Sequence, residues 1–130
     1  MAAHSCPRPL AFKAGGAIVK GHAVKLSADD TVVECTANTD NAIGIAMNDV
    51  SSAQATAGAD VEVALPGGGY KAVLGESVTR GLHLVPHTDG TLVKSNASGD
   101  NVIAVAMASG SSGELIPVEV IHCIAVGADE

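Results

Sequence analysis

Asp40-Asn41-Ala42-Ile43-Gly44-Ile45-Ala46-Met47 returns sixty positions later as Asp100-Asn101-Val102-Ile103-Ala104-Val105-Ala106-Met107. In each stretch an Asp-Asn pair opens onto alternation, with Ile43, Ile45 and Met47, or Ile103, Val105 and Met107, on one face and small side chains on the other. A period of two is the period of a β-strand. Ala42, Gly44 and Ala46, matched by Ala104 and Ala106, leave room for another backbone to come close. The two stretches therefore read as equivalent central strands of a curved sheet or barrel, with the six larger side chains as core residues.

Working outward, Gly15, Gly21, Asp29, Thr31, Val33, Ala37, Ser51 and Ser52 meet identical residues at Gly75, Gly81, Asp89, Thr91, Val93, Ala97, Ser111 and Ser112. The chain is a duplication, with one copy over 15–66 and the other over 75–124. Each copy repeats strand, turn and strand. Gly15 to Leu26 reads as two short strands around a glycine kink, with a turn at Ala28-Asp29-Asp30 and a β-branched strand at Thr31–Thr36. Asp89-Gly90 is the clearest hairpin turn, because both residues tolerate positive φ. Asn48 to Asp60, rich in Ser, Ala and Gly, reads as a loop or a single helical turn. A loss of three residues at Ser109–Gly113 would align Val61-Glu62-Val63 with Val118-Glu119-Val120, and Ile116–Val126 reads as a long last strand able to cross both halves.

The totals agree with this pattern. The 130 residues suit one domain, 15–130, whose core must be aliphatic, because aromatic residues make up 2% against a hydrophobic 47%. Short strands spaced by Gly, Asp, Asn and Ser turns, with no helical periodicity, indicate an all-β barrel or sandwich made of two pseudo-repeats. A formal charge of −7 would repel phosphate backbones, so nucleic acid is not expected as a partner. Nor is a membrane, since no window approaches the roughly 18 apolar residues of a spanning helix. Three cysteines without a CxxC pair, and a start lacking a secretory pattern, point to a reducing cytoplasm.

Residues 1–14 stand apart. Pro7 and Pro9 force extended geometry, and Leu10 and Phe12 are the large apolar groups, so this segment reads as an extended N-terminal arm lying outside the sheet. Chemistry is sparse. His122 and Cys123 are neighbours on a strand and would point to opposite faces, and Pro86 separates His83 from His87 in a segment with no helical signal, so no metal site is expected. Gly67-Gly68-Gly69 lacks the Lys-Ser/Thr of a phosphate loop, and Ser109 to Gly113 is not a nucleophile elbow. No catalytic residue and no cofactor are expected.

The short arm, the run "AGGAIVKGHAVKL", the hairpin "DDTVVECT" and the segment "NAIGIAMNDVSSAQATAGADVEVALPG", followed by a weaker second round, together resemble the capsid-decoration (cement) proteins of tailed double-stranded DNA bacteriophages. The resemblance implies a compact, β-tulip-like domain that forms homotrimers on the outer surface of an expanded head. It implies binding to the phage major capsid protein, bracing of adjacent capsomers, and synthesis in the host bacterial cytoplasm before assembly into the virion. The arm positions matching that role are Pro7, Arg8, Pro9, Leu10, Phe12 and Lys13. Other readings are a small-ligand or carbohydrate-binding β module, for which Tyr70 is the sole aromatic platform, and a hydrolase using His83 or His87.

Overall fold

A computed structural model describes residues 8–95 and 99–124. The first half begins with β1 (Arg8–Ala14), β2 (Ala23–Ala28), β3 (Thr31–Glu34) and β4 (Ala42–Ala46). A five-residue helix, α1 (Ser52–Thr56), and β5 (Asp60–Leu65) complete it. These strands close into a barrel in the order β1-β3-β2-β4-β5. The second half comprises β6 (Gly69–Val73), β7 (His83–Pro86), β8 (Leu92–Lys94), β9 (Asn101–Ala106) and β10 (Leu115–Ile124), with sheet order β6-β10-β9-β7-β8. Read around the barrel, the first order becomes the second when each strand is replaced by its counterpart, although the second half is a five-stranded sheet rolled into a barrel whose edges meet at the single Leu74–Leu92 bridge; the duplication is a duplication of fold.

The equivalence extends to single hydrogen bonds. Gly15 N donates to Val32 O at 2.8 Å, and Gly75 N donates to Leu92 O at 2.8 Å. Ile18 bridges Val50 as Val78 bridges Gly110. The barrel interiors also match: Ala14, Ile18, Val24, Val32, Ala46, Val61 and Val63 are buried in the first. Leu74, Val78, Leu84, Leu92, Ala106, Ile116 and Val118 take the same places in the second. That second interior shares one packed cluster with Ala23, Cys35, Ala42, Ile45 and Ala64 of the first half.

Several expectations need correction. Over residues 8–14 the expected arm is part of the sheet. Arg8, Pro9, Leu10, Phe12 and Lys13 belong to β1, which pairs antiparallel with β5 from Arg8↔Leu65 to Lys13↔Asp60. The parallel partner β3 joins only at Lys13 and Ala14, so Pro9 lies where the strand has one neighbour, a position that tolerates proline. Pro7 lies outside the described residues. Each repeat therefore starts one strand earlier than position 15 or 75, at β1 and β6.

The offset is also different. Ala46 pairs with Val63 and Ala106 with Val118, so five residues are missing from the second copy rather than three. Ser51 N donates to Gln54 Oε1 as Ser111 N donates to Glu114 Oε1, which places the gap after Glu114. The missing residues correspond to Ala55–Ala59, the end of α1 and its exit. The segment over Asn48–Asp60 thus contains a helical turn in the first copy alone, opened by a reciprocal Ser51–Gln54 capping box.

The alternation in the central strands breaks at a β-bulge. Val24 pairs with Gly44 and Lys25 with Ala42, so Ile43 is an extra residue. It turns Ile43 towards the first barrel's interior, whereas Ile45 and Met47 pack with the cluster shared between the halves. In the second copy Ile103 is buried, but Val105 is half-buried and Met107 is 58% exposed. Gly44 answers to the close approach expected there, since a Cβ would lie 2.3 Å from Ala64 O. Finally, β10 pairs only with β6 and β9, and residues 125–130 lie outside the described range.

Candidate interaction surface

The outer wall of the first barrel, at the start of β2 and the end of β4, is where the second half docks. In the first barrel Lys13 N donates directly to Asp30 O at 2.7 Å, closing β1 against the β2–β3 turn. Their counterparts, Val73 and Gly90, are held apart by a wedge. Val73 N donates to Gly21 O at 3.0 Å, and Ala23 N donates to Gly90 O at 2.8 Å. Gly21-His22-Ala23 thus occupies the seam of the second barrel, which keeps only the Leu74–Leu92 bridge of its own closure. Gly21 suits this place twice: its φ is +89°, and a Cβ would lie 2.8 Å from Val73 Cγ2 and 2.9 Å from Leu115 Cδ1.

Leu115 is the first residue after the five-residue deletion. In the first barrel the extra segment packs Ala55 and Ala59 against its own interior. The deletion in the second barrel leaves the matching position to the wall of the first. Residue chemistry follows the same division. Lys13, Lys25, Asp30 and Asp60 stand where the second half has Val73, Val85, Gly90 and Leu115, so the docked end is the apolar one.

The duplicated Asp-Asn pairs lock the joint. Asn101 donates from its backbone to Asn38 O at 3.0 Å and from its side chain to Thr39 O at 2.7 Å and Asp40 O at 3.1 Å. The Asn38 amide donates to the carboxylate of Asp100, which is buried and also accepts from Ser95 Oγ at 3.3 Å. Burial acts to raise the Asp40 carboxyl, but the amides of Thr36 and Ala37 and the Lys25 ammonium at 3.0 Å outweigh it and hold the group below its ordinary value. His22 Nδ1 sits 2.9 Å from Glu34 Oε2 beside Gly90. A cleft of about 390 Å³ lies between the halves, lined by residues including Asn38, Glu76, His87 and Lys94.

The second half carries its own copy of the docking wall. Gly81, Val105, Met107 and Glu119 stand where Gly21, Ile45, Met47 and Ala64 are covered, and here Gly81, Met107 and Glu119 are exposed. Met107 and Leu10, at 58% and 52% exposure, are the most open large hydrophobic residues among the described ones. Phe12 is half-buried against the first barrel's interior, and Lys13 pairs with Asp60 at 2.9 Å on the surface. Leu10 pairs with the buried Val63 and so lies on the same face of β1 as Phe12, while Lys13 pairs with Asp60 on the opposite, outer face.

Candidate chemistry stays dispersed. His83 lies in β7, His87 borders the cleft, and His122 reaches Asn41 Oδ1 at 2.9 Å. Among the described residues no group of three or more His, Cys, Asp or Glu gathers in metal-binding geometry. Burial pushes the Cys35 thiol up to about 12, with the Asp40 charge adding to the effect. No helix among the described residues is long and apolar enough to cross a membrane. The wedge at Gly21–Ala23 has one signal in the sequence: Gly21 recurs at Gly81, which marks the turn but not the contact made by one copy alone.

Residues 3–120 match the model of a family described as XM1 gp53 minor capsid protein. Among solved structures the chain is similar to the head fiber gp8.5 N base of bacteriophage phi29. The TM-score is 0.67 at 18% identity, covering 94% of this chain and 97% of that one, a likeness of fold. No curated protein sequence matches the chain.

Proposed function

Because the chain belongs to the XM1 gp53 minor capsid protein family, we propose that this phage capsid-associated structural protein binds the outer surface of the expanded head and braces adjacent capsomers. The match over residues 3–120 carries this reading, since it spans both barrels and not one module. In the virion the chain would sit as a homotrimer on the major capsid protein. A net charge of −7 suits a place outside the shell, away from packaged DNA. With two aromatic residues in the whole chain, single contacts lack the usual Trp and Tyr anchors, so strength has to come from number. Three linked copies raise avidity by roughly 10²–10⁴ over one. A bracing role needs no active site, and the dispersed histidines suit it.

The test is electron microscopy and co-sedimentation of the purified protein with expanded and unexpanded empty heads of its phage. Ordered density on the outside of expanded heads, together with greater resistance of those heads to heat, is the expected result. Density inside the shell, or no binding to either form, overturns the proposal. Specific capture on a glycan array without head binding would favour the carbohydrate-binding module instead.

A further inference from the structure

β4 of the first half packs on β6, β9 and β10 of the second, and at its β6 edge the joint brings unlike surfaces together, the end of β4 meeting Tyr70. Both surfaces of that contact recur in the other copy. In the joint, the Tyr70 hydroxyl donates to Met47 O at 3.2 Å, and both side chains pack against the shared core. The counterpart of Tyr70 is Leu10 on β1, and the counterpart of Met47 is Met107 after β9. These two are 52% and 58% exposed, where Tyr70 and Met47 are half-buried. We infer that Leu10 of one copy packs on the Val105–Met107 wall of a second copy, repeating between chains the relationship that joins the halves within one.

The occupant is a second copy because this chain already contains a bound example of the same pair of surfaces. The contact between copies has to be the weaker of the two. Lys13 N is already bonded to Asp30 O, so the first barrel has no open seam for a wedge at Gly81, and the contact rests on side chains. A heterologous contact of this kind closes into a ring when its rotation allows, and otherwise grows as a filament. The inference deepens the homotrimer part of the proposed function by naming its seam, and it does not depend on capsid binding.

The experiment uses the full chain with Cys6 and Cys123 replaced by serine. Leu10→Cys and Met107→Cys are made as separate proteins and mixed under mild oxidation. The expected result is a disulfide-linked pair joining position 10 of one protein to position 107 of the other, formed several-fold faster in the mixture than in either protein alone. Equal rates in the Met107→Cys protein alone would mean a symmetric contact and overturn the inference, as would no linkage at concentrations where native mass shows an oligomer. Met107→Asp is expected to lower the native mass to that of a monomer with an unchanged melting temperature. An unchanged oligomer in that variant also sinks the seam. Head binding is measured in parallel: copies that bind heads without linking reject this seam alone, and copies that link without binding heads reject the capsid role alone.

Discussion

The amide of Val73 donates to the carbonyl of Gly21 at 3.0 Å, taking the bond that Lys13, its counterpart, makes to Asp30 within its own barrel. Gly21 is buried and crowded, whereas Gly81 has the same left-handed backbone, φ +88°, and a Cβ added there would meet nothing within 4 Å. Gly81→Ala is expected to cost about 1–2 kcal/mol, the usual strain of a side chain at positive φ. Gly21→Ala adds a clash with Val73 and Leu115 and is expected to cost about 1–3 kcal/mol more. Urea unfolding of both variants checks this, and equal losses would contradict the wedge.

Removing residues 1–7 keeps every described pair of the barrel's ladder, from Arg8↔Leu65 on, and is expected to leave the melting temperature nearly unchanged. Removing residues 1–13 deletes β1, opens the first barrel and exposes Val61 and Val63, which are fully buried in the intact chain. That variant is expected to lose cooperative unfolding of its first half. Circular dichroism melts of the two truncations show whether β1 is a strand of the barrel.

Ile103 is fully buried and Met107 is 58% exposed, although the sequence pattern puts them on one face. Ile103→Ala is expected to cost about 3 kcal/mol by leaving a cavity. Met107→Ala should stay within about 0.5 kcal/mol, as surface changes usually do. The half-buried Ile43 is expected to fall between them in the same unfolding series.

Asp40 supplies a pH-dependent contribution of known sign. Its folded carboxyl stands below the ordinary 3.8, so its stabilisation is fully present above that value and is lost as pH falls through the lower folded value. Asp40→Asn is therefore expected to be destabilising at neutral pH. The gap to the natural protein should narrow as pH drops below 3.8. A gap that stays constant down to about pH 2 would show that the carboxylate's charge does not matter there.

The two described free thiols should differ in reactivity. Cys35 is buried and pushed to about 12, so almost none of it is thiolate at pH 8, whereas Cys123 is exposed. In a Cys6→Ser background, a thiol reagent is expected to modify Cys123 within the native protein and Cys35 only after unfolding. Equal labelling rates, followed by mass spectrometry, would show that the joint around Cys35 opens.

The order of amino acids was enough to establish the duplication, the all-β class and the position of most strands. Each of these is written in local alternation and in turn residues such as Asp29-Asp30 and Asp89-Gly90. It also carried the alternation Leu10, Phe12, Ala14 of β1, which the two prolines masked. Long-range packing settled the rest: that β1 closes one barrel, that Ile43 bulges inward, and that Gly21 is buried while Gly81 is bare. The reason is that closure and docking are made by contacts between residues seventeen or more positions apart, from Lys13 with Asp30 to Ala23 with Gly90. Two nearly identical local sequences reach different surroundings when a five-residue deletion beside Leu115 lets only one of them receive a neighbour.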